Sequence, residues 1–314
     1  MTEEMRDVFG KTLVDLGEEF PNLIVLDADL NTSSKTVFFK KAFPTRFIQC
    51  GIAEQNMFGI AAGLAMQGFI PFPSTFAVFA AQRAIDQISI SICYPRLNVK
   101  IPGSYVGIPT SRAGASHNSV TDLAIMRVIP HVLIADPGDN AELRSMMRVA
   151  VLTPGPVYFR ISRYTLPDLC EGHGEFAWGR GIRLLDGKDV TLIGTGMMTH
   201  LCLRAAELLA HDGLEADVLH CGSVKPIDAN LIAESARKTH AVVTAENASV
   251  IGGLGSAVAE ALCQRAPAVL RRIGVEDEFI QSGGIAELLA HYRMRPEDIA
   301  AAAKEAIEAR EAVS

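Results

Sequence analysis

A single carboxylate, Glu54, heads the stretch "EQNMFGIAAGLAM", where a short apolar strand passes through a glycine into residues that are apolar almost all round. A carboxylate at a helix N-terminus meets free N–H groups and the positive end of the macrodipole, which accounts for its position. The neighbours ask for more. Ile52, Phe58, Ile60, Leu64 and Met66 predict a helix buried on most sides, and a charge entering such a core needs a partner. A carboxyl group in a dry site can hold or pass a proton. Further along stand the aromatic pair Phe76 and Phe79 in "FPSTFAVFAAQRAIDQ", His117 in the loop "GIPTSRAGASHNSVTD", and Arg160 and Arg163 at the strand end "FRISR". Each also has an ordinary account: core aromatics, a solvated histidine, surface charge.

Other chemistries find little support. In "IGTGMMTH" Gly194 and Gly196 follow a strand, but Thr199 stands where a dinucleotide fingerprint needs its third glycine, so a plain strand-to-helix turn is expected. "GGLGSA" (252–257) reads as a turn opening a helix, with N–H groups able to hold an anion. There is no H-E-x-x-H, no paired Cys/His spacing, no nucleotide-triphosphate loop and no nucleophile elbow, so no metal ligands are assigned.

The elements around these residues alternate between strand-like and helix-like runs, which predicts parallel sheets covered on both faces. At 314 residues two domains are expected. The fold class is α/β with two doubly wound domains, over 1–165 and 189–314, joined by a linker or short hairpin over 166–188, where Pro and Gly interrupt the rhythm. Open parallel sheets bind ligands beyond the C-terminal ends of their strands. A formal net charge of −7 argues against a nucleic-acid surface. The N-terminus reads as an acidic amphipathic helix, no run is long enough to span a bilayer, and six scattered cysteines read as buried thiols, so a cytoplasmic location without membrane contact is expected.

In order across residues 51–142, "GIAEQNM", "STFAVF", "ASHNSVTDLAIMR" and "PGDNAE" resemble the pyrimidine-binding domain of transketolases. "DADLNTSS" and the second domain extend the likeness over essentially the whole chain, and the type it resembles is the small subunit of a split, two-chain transketolase. The resemblance implies that Glu54 holds N1′ of the aminopyrimidine of thiamine diphosphate, that Phe79 stacks on that ring, and that Phe76, Gln82 and Asp29 complete the cofactor contacts. It implies that Arg6, Ser33 and Arg163 clamp a sugar phosphate, with His117 as an acid/base or hydroxyl ligand beside Glu54 in the catalytic set.

Two departures stand out. Tyr105 occupies a place where the family commonly has a histidine, and Arg112 and Ala113 replace a Glu-Asp pair. Ala113 opens volume, which favours a branched ketose such as an apulose phosphate. The Gly-Asp-Gly stretch and following Asn that hold diphosphate and Mg2+ in thiamine diphosphate enzymes are absent; "PGDN" at 137–140 lacks the second glycine and falls where the family has a structural turn. An N-terminal transketolase subunit is therefore expected to hold most of the diphosphate and Mg2+, in a heterotetramer, and this chain to be inactive alone. Two further readings are the β subunit of a 2-oxo acid dehydrogenase E1 component and a non-catalytic paralogue.

Overall fold

The computed structural model describes residues 3–170 and 172–313. Strands β1 (Leu23–Asp27), β2 (Phe47–Gln49), β3 (Ile70–Phe76), β4 (Lys100–Ser104), β5 (Leu133–Ala135) and β6 (Val157–Ile161) lie in one sheet. Strands β7 (Ile182–Leu185), β8 (Val190–Gly194), β9 (Ala216–His220), β11 (Ala241–Ser249) and β12 (Val269–Val275) form a second. Strand β10 (Ser223–Lys225) follows β9 in sequence but crosses over to pair antiparallel with β5, so the first sheet runs β10-β5-β6-β4-β3-β1-β2 and is otherwise parallel. The second runs β12-β11-β8-β9-β7, parallel except for β7. Two open, mostly parallel sheets are the doubly wound architecture expected. The segment 166–188 is more than a linker: β7 lies within it and closes the edge of the second sheet.

Strands β1, β3, β4 and β6 are buried at every residue, as sheets covered on both faces require. Helices Met5–Glu19 and Asn140–Leu152 cover one face through Phe9, Leu13, Met146 and Met147, which pack with Phe72 and Phe159. The helix Glu54–Met66 and the π-helical turns Phe79–Arg83 and Gln87–Cys93 cover the other, through Met57, Phe58, Ile88 and Ile92.

The Glu54 helix corrects an expectation. Phe58 is buried and Ile60 and Leu64 are half-buried, but Ile52 and Met66 are 75% and 71% exposed, and a side chain added at Gly59 or Gly63 would meet nothing within 4 Å. The helix is apolar all round because of what this chain buries on one side and leaves bare on the other.

Between the two domains runs a buried polar seam. Arg160, 1% exposed, donates from Nε to Asp122 (2.8 Å), from Nη1 to Asp136 (2.9 Å) and from Nη2 to the Asn247 carbonyl of β11 (2.9 Å). Arg160 is thus committed to the seam, while Arg163, just beyond the end of β6, is exposed. Asn247 returns the link, its Oδ1 accepting from the Ile108 N–H at 2.8 Å. Lys100, fully buried at the start of β4, donates to the carbonyls of Thr153 and Gly155 and so closes the C-terminal turn of the Asn140–Leu152 helix; burial pushes its pKa down to about 7. Among the described residues no helix is long and apolar enough to cross a membrane, and all six cysteines are free. Cys263 is exposed and Cys50 half-buried, against the expectation that the thiols are buried; the other four are inside.

Candidate active site

The C-terminal ends of β1, β3, β4 and β6 converge on one patch, and most of the sequence-predicted residues meet there. Phe76 ends β3, and Phe79 opens the π-helical turn that follows. Their rings lie 5.8 Å apart and 20° from parallel. His117 approaches both edge-on, at 5.5 Å from Phe79 and 6.0 Å from Phe76, with its Nδ1 paired to the Ser116 hydroxyl at 2.9 Å.

Tyr105 follows β4 and takes a left-handed backbone, φ 64°, which an ordinary side chain adopts only under local constraint. Its ring stacks on Phe76 at 4.1 Å. Its hydroxyl accepts a hydrogen bond from Arg6 Nη1 at 2.8 Å, and the Arg6 and Arg163 guanidinium carbons lie 5.9 and 5.3 Å from the ring centre. The Tyr105 phenol therefore fills the space between the aromatic wall and two cations. Arg6 also bonds Glu4 (2.6 Å) and the Ser33 carbonyl (3.4 Å). Burial opposes its charge, but Glu4, Tyr105 and Asp7 more than offset this and raise its pKa.

Glu54 is 1% exposed, and both its oxygens stand 2.9 Å from Arg83 Nη1. The guanidinium carbon of Arg83 lies 4.3 Å from the centre of the Phe79 ring. Sequence reasoning sought a partner for Glu54 and missed this one. The signal was there: Arg83 is the only Lys or Arg between Arg46 and Arg96, four residues beyond Phe79. The side chain of Arg83 is 47% exposed, so a ligand arriving on the Phe79 face has access to both members of the pair.

The remaining residues sit at the margins. Gln82 is exposed and donates to Thr121 Oγ1 at 3.0 Å. Ala113 and Arg112 are exposed at the end of the 3-10 turn Ile108–Ala113. Asp29 is exposed with φ 64° and its N–H bonded to Gln49, to one side of the aromatic wall, whereas its neighbour Leu30 packs against Phe76 and Tyr105. A second missed residue lies two positions before Asp29: Asp27, fully buried, accepts from Leu30 N–H, Ser34 and Thr36 and so shapes the loop that carries Ser33; burial raises its pKa.

Nearby, Ser104 Oγ and Asn118 Oδ1 are buried with no hydrogen-bond partner among the described residues, polar atoms left for a ligand. A flat apolar wall with an imidazole edge-on to it, a dry carboxylate beyond Phe79 and two arginines beyond Phe76 suits a planar heterocycle lying beside an anionic substrate.

The motifs set aside are accounted for. Asp139 of "PGDN" caps the Asn140 helix, its Oδ1 accepting from Glu142 N–H and its Oδ2 from Leu169 and Cys170 N–H, all at 2.7 Å, so it is a structural turn. The "GGLGSA" helix N-terminus does hold an anion, but one from this chain: Glu246 accepts from the Leu254 and Gly255 N–H groups at 2.7 and 2.8 Å, and burial pushes its pKa up to about 7.

Residues 2–168 match the family described as transketolase, pyrimidine binding domain, and residues 179–299 that described as transketolase, C-terminal domain. The chain is 42% identical over 304 residues to a 6-deoxy-6-sulfo-D-fructose transketolase subunit of Clostridium sp. strain MSTE9, covering 97% of this chain and 94% of the relative. It is 36% identical to one of the subunits of the apulose-4-phosphate transketolase of Phocaeicola vulgatus, covering 96% of each. Among solved structures it is similar to a split-gene transketolase described as an inactive β4 tetramer, with 49% identity, a TM-score of 0.90, and coverage of 97% of this chain and 98% of that one.

Proposed function

The chain belongs to the transketolase family, and from that premise we propose that it is the small subunit of a two-chain, thiamine diphosphate-dependent enzyme that moves a two-carbon ketol unit between anionic sugars. The observation that carries the reading is a dry carboxylate, Glu54, joined through Arg83 to the Phe76–Phe79 wall at the start of a helix face that this chain leaves bare.

The residues present fit half of the cofactor. Phe79 and Phe76 supply a face for the aminopyrimidine, Glu54 an acceptor for its N1′–H, and the orphaned oxygens of Asn118 and Ser104 further polar contacts. No Gly-Asp-Gly stretch is available for diphosphate and Mg2+, so the partner subunit supplies that half. When bound, thiamine diphosphate supplies the carbon nucleophile and the electron sink for carbon–carbon cleavage. Glu54 would accept the N1′–H and so hold a proton at that atom, and for this Arg83 would have to release the carboxylate oxygens to which it now donates. Phe79 would fix the ring plane, with Gln82 and Asp29 further out at its margin, and His117, edge-on to the wall, would bond a sugar hydroxyl or exchange its proton.

Arg6 and Arg163, flanking Tyr105, are the anion clamp, with Ser33 beside Arg6. A 2-oxo acid without a second anion offers them nothing to bind, which favours a sugar enzyme over the dehydrogenase reading. In the assembled enzyme, Arg163→Ala is expected to lower kcat/KM for phosphorylated donors roughly ten- to hundredfold, the cost of a lost charge-assisted bond, while hydroxypyruvate, which lacks the phosphate, changes little. Equal losses on both make Arg163 a structural arginine.

For the donor, we favour a ketose whose carbon skeleton departs from xylulose 5-phosphate, with apulose 4-phosphate as the named candidate. Tyr105 fills the place of a compact imidazole, and Ala113 removes a carboxylate and leaves room for a branch. The two named relatives above act, by their names, on apulose 4-phosphate and on a sulfonated fructose, both ketose anions. The experiment is a panel of xylulose 5-phosphate, apulose 4-phosphate and 6-deoxy-6-sulfofructose given to the reconstituted enzyme. The branched or sulfonated donor should lead, and Ala113→Asp should move the ratio toward xylulose 5-phosphate by about tenfold to hundredfold, the worth of one desolvated hydroxyl contact. Preference for xylulose 5-phosphate that Ala113→Asp leaves unchanged makes the loop departures silent.

A further inference from the structure

We propose that Glu142, Cys170 and His220 form a binding site for one divalent transition-metal ion of the zinc type, at the seam between the two domains and away from the aromatic wall. The three come from separate parts of the chain: Glu142 from the helix Asn140–Leu152, Cys170 from the connecting segment, His220 from the end of β9. All three are buried, and one ligand atom of each, a carboxylate oxygen, Sγ and an imidazole nitrogen, lie within 4.8 Å of one another. They are brought together only by the fold, since 28 and 50 residues separate them in sequence.

The arrangement already has the features a metal-binding imidazole needs. His220 Nδ1 pairs with Thr199 Oγ1 at 2.8 Å, which fixes the ring and leaves Nε2 aimed at Glu142 Oε2, also at 2.8 Å. A second-sphere bond to the far nitrogen is the usual device for orienting a histidine ligand. Thr199 is the residue that breaks the glycine fingerprint of "IGTGMMTH", and this contact gives it a role. Glu142 is itself held, Oε2 accepting from the Gly138 N–H at 2.7 Å. Gly138 and Gly222 flank the site, and a side chain carbon on either would come within 3.1 Å of His220 Nε2, although neither glycine has the positive φ that would otherwise call for it.

Cys170 bonds Glu142, which places its sulfur against the carboxylate and completes the three-residue cluster. Beside it lies a cavity of about 220 Å³ lined by Glu142, Cys170, Ser145 and His173, which offers a way in and room for a water ligand at a fourth position. A thiolate, an imidazole and one carboxylate select zinc or cobalt over magnesium, which prefers oxygen ligands alone. On binding, the Cys170 thiol gives its proton to solvent, and His220 presents an unprotonated Nε2 to the ion, any proton there passing to Nδ1 or to solvent. In the bound state Nδ1–H donates to Thr199, and Nε2 and the carboxylate oxygen open to roughly 3.3 Å to admit the ion between them. The ion would tie the first domain to the second through the connecting segment.

The test uses the full chain after chelation and dialysis, titrated with Co2+ alone. The expected result is a thiolate-to-cobalt charge-transfer band that saturates at one equivalent per chain, is displaced by Zn2+, and is accompanied by a rise in the thermal midpoint. Cys263→Ser, which changes an exposed thiol, should keep the band, and Cys170→Ser should lose both the band and the thermal shift. Because Cys170 is buried, Glu142→Gln provides a second variant, expected to fold and to weaken cobalt binding at least tenfold. No band at one equivalent, or a band that survives Cys170→Ser in folded protein or keeps its affinity in Glu142→Gln, overturns the proposal.

Discussion

Glu54→Gln in the assembled two-chain enzyme is expected to slow exchange of the cofactor's C2 hydrogen by about 10² to 10⁴, the contribution typical of a positioned acid or base, equivalent to about 3–5 kcal/mol of barrier. Glutamine keeps the shape and the backbone geometry at the first turn of the helix, where Glu54 is 1% exposed, but it cannot hold the proton that fixes the charge state of N1′. The exchange rate, followed by NMR with saturating cofactor, separates this role from simple loss of binding. Arg83 supplies the internal control. It now donates to both Glu54 oxygens from one nitrogen and lies over Phe79, so Arg83→Met removes the ion pair while sparing the carboxylate. If Glu54 serves N1′, the glutamine variant is slow and the Arg83 variant is not, beyond a change in cofactor affinity. Unchanged exchange in Glu54→Gln would make Arg83 the whole reason for the carboxylate.

Much of this site was legible in the residues because strand ends in a parallel sheet are fixed by pattern. The runs "NLIVLDADL", "FIPFPSTF", "LNVKIPG" and "PVYFRISR" are apolar and bounded by turn residues, which brings the ends of β1, β3, β4 and β6 together without any knowledge of distances. What pattern cannot give is direction of a side chain within a strand end. Arg160 and Arg163 look alike in sequence, yet the first turns into the buried seam with Asp122 and Asp136 and the second stays beside Tyr105. The crossing of β10 into the first sheet and the place of β7 in the expected linker are likewise products of three- and four-residue strands, too short to carry a periodic signal. Arg83 was missed for a different reason: a π-helical turn sets its side chain toward Glu54, and no α-helical spacing rule describes that turn.

The chain alone, given thiamine diphosphate and Mg2+, is expected to show no ketol transfer above background, and activity is expected to appear when the N-terminal subunit is added, at roughly the 1–10³ per second usual for enzymes. The reason lies in what the Glu54 helix leaves uncovered. Besides Ile52 and Met66, the nearby Ile90 and Tyr94 are 60% and 81% exposed, an apolar surface with no structural use in this chain. Gly59 and Gly63 sit on that helix with nothing within 4 Å of an added side chain carbon, and each costs about 1 kcal/mol of helix stability relative to alanine. That cost has a reason if another backbone approaches closely there. Gly63→Leu is therefore expected to leave the isolated chain folded and as heat-stable as the parent, or more so, while reconstituted activity falls at least tenfold at limiting partner, recoverable by raising the partner concentration. Robust turnover by the single chain removes the two-subunit reading outright, and full reconstitution by Gly63→Leu at limiting partner moves the contact surface away from this helix.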